Sequence, residues 1–257
     1  MKLRWGTGNK KRPLEGTGPV GSVLFYLFGV KKEEEVQKMG DIRIGNQKRL
    51  LISITLLIPF ILLFSGPVRS GTAEYFRGLD YLIISMVQSL HNETFTTVVL
   101  AVTFLGGIPA LTGVVALGAV VFLYYKRWIT ALFYAGAVAL GGGLNALLKW
   151  LFQRDRPDFN PLVIEQGFSF PSGHAMGATI TYGLLAYFVV IHLQEKGAKA
   201  TVISVAVTLI LLIGLSRIYL GVHYFTDIIA GFLAGALWIM ISVFVWKRIT
   251  KGSTAGV

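Results

Sequence analysis

Apolar residues in this chain gather in long blocks, not in amphipathic stripes. A helix of ~20 mainly apolar residues is long enough to cross the hydrocarbon core of a bilayer. From residue 39 onward, six blocks predict spans over about 50–65, 109–125, 129–151, 172–191, 201–219 and 225–246. The expected fold class is therefore an all-α membrane protein with six transmembrane helices. Between the first two spans the pattern changes. Leu79, Ile83, Met86 and Leu90 recur at helical spacing among polar residues, which predicts an interfacial amphipathic helix. The next apolar piece, 95–105, is short for a span and is expected to dip partway into the membrane. The run Gly141-Gly142-Gly143 inside the third span is expected to let helix backbones approach closely.

Composition agrees with the blocks. Hydrophobic residues make up 54% of the chain and charged residues only 14%. Soluble domains usually carry nearly twice that charged share. The chain has no cysteine, which excludes disulfides, thiolate chemistry and Cys-ligated metals. Its formal charge of +11 serves mainly to set orientation, with Lys and Arg held on the cytoplasmic side. No nucleic-acid motif accompanies that charge.

Residues 1–38 read differently from the rest, with eight Lys or Arg and four Glu. Their apolar patch, 23–30, is too short to span, and no small-residue cleavage site follows it. Glu34-Glu35-Val36 back-translates to a purine-rich bacterial ribosome-binding sequence two codons ahead of Met39. Residues 1–38 are therefore expected to be a non-native extension, and 39–257 a single six-span domain.

Basic residues fix the orientation. Arg43, Lys48 and Arg49 precede the first span, and Lys126 and Arg127 follow the second. Lys196 and Lys199 lie between the fourth and fifth, and Lys247, Arg248 and Lys251 follow the sixth. With an even number of spans all fall on one side, so both termini are expected to be cytoplasmic.

A second set of charges sits at the opposite, outward ends, where cations are costly and mark function by default. "KWLFQRDRP" supplies Lys149 and Arg156, "PSGH" supplies Ser172, Gly173 and His174, and "SRIYLGVHYFTD" supplies Arg217, His223 and Asp227. Taken singly, each has a structural reading. Arg217 would be a snorkelling anchor, Ser172 a helix cap and His223–Asp227 a satisfied polar pair. Separate structural roles do not predict three cations and two histidines on one face.

In order and spacing, these pieces resemble the three-part signature of the type-2 phosphatidic acid phosphatase superfamily: K-x6-R-P, P-S-G-H and S-R-x5-H-x3-D. Every signature position matches, and the resemblance covers about residues 80–246. It implies a membrane lipid phosphatase working without metal or cofactor on the outer face of the cytoplasmic membrane. Phosphatidylglycerophosphate is the expected substrate, and undecaprenyl pyrophosphate the alternative. The bilayer and the lipid phosphate are the only partners implied; nothing points to an obligatory protein partner.

The residues carry the same chemistry on physical grounds. Phosphoryl transfer spreads charge over equatorial oxygens, so catalysis is mostly positioning and charge stabilisation. Lys149, Arg156 and Arg217 suit that task, Arg through its planar fork and Lys as a point charge. Ser172 and Gly173 read as a helix N-terminus, whose free N–H groups bind anions. His223 and Asp227, four apart, share a helical face, so the carboxylate fixes the imidazole tautomer and frees the other nitrogen to attack phosphorus. His174 is left to protonate the leaving alkoxide and then activate water. Arg154 and Asp155 could assist, and Arg77 and Asp80 could touch a headgroup. His91 and His192 are expected to be bland. Two rival classes remain at this point: a Ser172–His223 serine hydrolase, which lacks a nucleophile-elbow pattern, and an anion transporter, which should spread its charges through the membrane depth.

Overall fold

The computed structural model describes residues 74–252, so the predicted first span, the 1–38 extension, Arg43, Lys48 and Arg49 lie outside the described residues. The described part is helical: α1 (Glu74–Gln88), α2 (Glu93–Phe104), α3 (Ile108–Tyr124), α4 (Trp128–Phe152), α5 (Gly173–Val190), α6 (Lys196–Tyr219) and α7 (Phe225–Gly252). Helices α4 to α7 are each long and apolar enough to cross a membrane. Helices α2 and α3 pass the same test only together, with a bend of 48° between them. The short piece expected at 95–105 is thus one limb of a bent pair. Its start is capped by Asn92, whose Oδ1 accepts the Phe95 N–H at 2.8 Å.

The core lies where α3, α4, α5 and α7 meet. Phe122, Tyr134 and Phe188 pack edge to face there, their ring centroids 5.8–6.3 Å apart. Around it, large apolar side chains such as Leu117, Leu132, Leu140, Val205 and Leu215 are exposed, as lipid-facing surfaces require.

Close backbone approach sets the register of α5 against α7. A Cβ on Gly231 would lie 2.9 Å from the Ser172 carbonyl oxygen, and one on Gly235 would lie 2.7 Å from Thr179 Cβ. This small-xxx-small pair brings the N-terminus of α7 against that of α5, and the Ser172 N–H donates to the Asp227 carbonyl at 3.1 Å. The glycine run of α4 behaves less uniformly. Only Gly141 meets a neighbour, with Ile180 Cδ1 2.7 Å from where a Cβ would stand, while Gly142 and Gly143 face open space.

Helix α1 turns a different side inward from the centre of its apolar stripe. Its inward positions are Asp80 and Ile84, both 0% exposed, flanked by Ile83 and Val87, whereas Met86 and Leu90 are exposed. A carboxylate can lead the buried face because Arg154 and Thr226 satisfy it.

Candidate active site

The C-termini of α4 and α6 and the N-termini of α5 and α7 come together at one end of the bundle. Every signature residue is at that end. Lys126, Arg127, His192 and Lys196 are at the other, where Arg127 Nη1 donates to His192 Nε2 at 2.6 Å.

His223 lies in the turn between α6 and α7 and is 1% exposed. Its Nδ1 faces Asp227 Oδ2 at 3.3 Å, and its Nε2 faces Arg156 Nη1 at 3.2 Å. An arginine only donates, so Nε2 carries the lone pair and Nδ1–H donates to Asp227. Burial pushes this imidazole down to about 4, against the pull of Asp227 and with Arg156 and Arg217 adding to the effect. At neutral pH His223 is an uncharged base with its free nitrogen aimed at a cation cluster.

Three backbone carbonyls aim Arg156: Nε donates to Gly167 at 2.9 Å, Nη2 to Gln166 at 3.1 Å and Nη1 to Val222 at 3.0 Å. Arg217 is 2% exposed, so it points inward and does not snorkel. Its Nη1 donates to Thr103 at 2.7 Å, its Nη2 donates to Glu165, and its buried Nε–H has no acceptor among the described residues. Lys149 lies beside Gly173, its Cε 3.9 Å from where a Cβ would stand there, and its Nζ donates to the carbonyls of Phe168 and Ser169. Ser172 caps α5, its Oγ accepting the Ala175 N–H at 3.4 Å. His174 follows, half-buried, in the first turn of α5.

Two participants were not signature residues. Glu165 has its Oε2 3.1 Å from Arg156 and 4.0 Å from His223 Nε2, and it pairs with Arg217 through Oε1. Burial alone would raise this carboxyl, but Arg217, His174, His223 and Arg156 together hold it below its usual range. It stands in an aperiodic loop, so no spacing rule marks it. Arg154, two residues before Arg156, turns the other way and pairs with Asp227 and Asp80. Asp80 is therefore a buried ion-pair partner and not the headgroup contact considered from sequence. His91 is structural, its Nε2 2.8 Å from the Tyr219 carbonyl. Among the described residues, no three His, Asp or Glu side chains are grouped to hold a metal ion.

The chain is similar to known proteins in sequence and in fold. Residues 130–251 match the PAP2 superfamily. The chain is 36% identical to phosphatidylglycerophosphatase B of Bacillus subtilis over 72% of its own length and 89% of that protein. Among solved structures, a transmembrane PAP2-type phosphatidylglycerolphosphate phosphatase from Bacillus subtilis superposes with a TM-score of 0.69. Identity there is 32%, covering 77% of this chain and 96% of the other. Aquifex aeolicus LpxE superposes with a TM-score of 0.52 at 25% identity, covering 64% of this chain and 94% of that one.

Proposed function

We propose, from the premise that this chain belongs to the PAP2 superfamily and is a lipid phosphatase, that it hydrolyses phosphatidylglycerophosphate to phosphatidylglycerol through a phosphohistidine. The observation that carries this reading is His223, locked by Asp227 with Nε2 turned toward Arg156. In the first step that lone pair attacks phosphorus, the P–O bond to the lipid breaks, and His174 protonates the leaving alkoxide. In the second, His174 takes a proton from water, the water oxygen attacks phosphorus, and the P–N bond breaks to release inorganic phosphate. Arg156, Arg217, Lys149 and the N–H groups behind Ser172 and Gly173 hold the equatorial oxygens through both steps. Undecaprenyl pyrophosphate is the competing substrate. Phosphate release across a panel of lipid phosphates decides between the two, and no release from any of them would revive an anion carrier. Ser172 Oγ already serves as a buried helix cap, which argues against the serine hydrolase.

The cations do the work that a divalent ion does in other phosphatases. Turnover should therefore survive chelation, and orthovanadate, a trigonal-bipyramidal phosphate mimic, should inhibit. Activity abolished by chelator and restored by magnesium would contradict this.

The bent α2–α3 pair and α4 to α7 supply five spans, and the predicted span at 50–65 makes six. The basic end then faces the cytoplasm and the site faces outward. Helix α1 is the interfacial helix over the site end, tied to the 153–172 loop by Gln88 Nε2 on the Phe159 carbonyl at 2.6 Å. Its exposed Met86 and Leu90 just past its end, 60% and 61% accessible, flank a lateral entrance through which a lipid slides with its tails still in the bilayer. A chain-bearing phosphate should then outdo glycerol phosphate in kcat/KM, because remote binding energy helps place the phosphate. Met86→Gln and Leu90→Gln should impair lipid turnover more than turnover of a small soluble ester. Equal effects on both substrates would remove lateral entry past α1.

A further inference from the structure

We infer that Arg154 and Asp80 are positioning residues that clamp Asp227 from behind and set how strongly it acts on His223. The inference rests on His223 being the nucleophile. Asp227 is fully buried, and each of its oxygens has separate work. Oδ2 takes His223 Nδ1 at 3.3 Å and the Tyr224 N–H at 3.0 Å. Oδ1 takes Arg154 Nη1 at 2.7 Å. The same guanidinium reaches Thr226 Oγ1 at 2.7 Å and Asp80 Oδ2 at 2.8 Å, and its Cζ stacks 4.0 Å over the Tyr224 ring. Asp80, also fully buried, comes from α1 and closes the circuit by accepting the Thr226 N–H at 3.0 Å and the Thr226 hydroxyl at 2.7 Å. It thereby caps the first turn of the helix that carries Asp227, from a different helix.

Arg154 and Arg156 leave the same stretch of loop in opposite directions. Arg156 faces the attacking nitrogen, while Arg154 is bonded to the carboxylate behind it. Behind the neutral imidazole of His223 the charges alternate through Asp227, Arg154 and Asp80. A buried carboxylate beside an imidazole would favour imidazolium, which has no lone pair to attack with. Sharing Asp227 with Arg154 weakens that pull, so the carboxylate orients the ring without charging it. Asp80 in turn draws on Arg154 and limits its effect. Burial opposes the charge of Arg154, and Asp227 and Asp80 outweigh that opposition.

The test is the acid limb of kcat/KM against pH, which reports protonation of His223 in the free enzyme. Full-length protein in detergent is assayed on phosphatidylglycerophosphate, whose own second ionisation is common to all variants. The other charged groups around His223, namely Arg156, Glu165, Arg217, His174 and Lys149, are left in place. Arg154→Gln removes a cation, so the limb should move up by about half a unit or more. Its kcat should fall about 10–100-fold, the size of effect expected when a partner that orients a functional imidazole is lost. Asp80→Asn removes an anion, so the limb should move down. Combining the two should return it toward wild type. Asp80→Asn is nearly isosteric, so its downward shift is readable even where Arg154→Gln folds poorly. A merely structural strut lowers the yield of folded enzyme without shifting the limb in opposite directions. Limbs that coincide with wild type, beside an inactive His223→Ala, would overturn the clamp alone. An active His223→Ala would overturn the nucleophile assignment and the clamp with it.

Discussion

His223→Ala should leave helix content and thermal transition intact and abolish phosphate release from lipid phosphates, a loss on the order of 10⁴–10⁶ in kcat. The side chain is buried at the turn before α7, so truncation opens a small space without disturbing the helix contacts at Gly231 and Gly235. On the proposed mechanism, what disappears is the attacking atom. No neighbour replaces it: Arg156 carries no lone pair, and Glu165 is held by Arg156 and Arg217. Asp227→Asn should be milder, about 10²–10⁴-fold, because the nucleophile stays while its tautomer and orientation loosen. Radiolabelled substrate quenched in alkali should leave label on wild-type protein and none on His223→Ala, since phosphohistidine survives alkali. Near-normal turnover by a folded His223→Ala would exclude covalent catalysis at this residue.

The parts of this site that were legible in the sequence are those governed by spacing. The His223–Asp227 interval is four residues, and the two side chains do meet, although His223 stands in the turn ahead of α7 and only Asp227 is on the helix. Helices α4 to α7 were legible as blocks because lipid lets a helix be apolar all round; their ends at the site fall within one residue of expectation, whereas at the other end α6 starts at Lys196 and α7 runs to Gly252, beyond the expected 201 and 246. Spacing says nothing about a partner brought in from elsewhere in the fold. Arg154 Nη2 meets Asp80 Oδ2 across 74 positions, and only the docking of α1 makes that pair visible. The stripe on α1 could not show its inward face for the same reason, since that face is led by a carboxylate and a stripe ranks positions by hydrophobicity. Glu165 sits in a loop with no period to read. The bend between α2 and α3 splits one apolar region into two helices that are long and apolar enough to span only together.

Arg217→Ala should lower kcat/KM by 10²–10³, about 3–4 kcal/mol of transition-state stabilisation. From sequence alone a lone arginine at a span end is better read as a snorkelling anchor. Its burial argues otherwise, because a snorkelling side chain exposes its head and this one is 2% accessible. The guanidinium instead spends Nη1 on Thr103 and Nη2 on Glu165, and keeps a buried Nε–H without an acceptor among the described residues. A buried donor of that kind is costly, and on the proposed mechanism a phosphoryl oxygen gaining charge in the transition state is the acceptor that would satisfy it. Arg217→Lys should recover little of the loss, since one ammonium cannot hold Thr103 and present a second donor in a fixed plane. The effect should appear on a small soluble ester as much as on a lipid, in contrast to substitutions at Met86 and Leu90, because Arg217 acts on the phosphoryl group and not on the tails. Thr103→Val separates the two roles of the residue. It removes the tie between α6 and α2 while leaving the cation, so it should cost far less than Arg217→Ala. If the two variants lose activity equally, or if Arg217→Ala stays within about threefold of wild type on the scale of a surface contact, Arg217 is an interhelical strut and the phosphate is held by Arg156 and Lys149 without it.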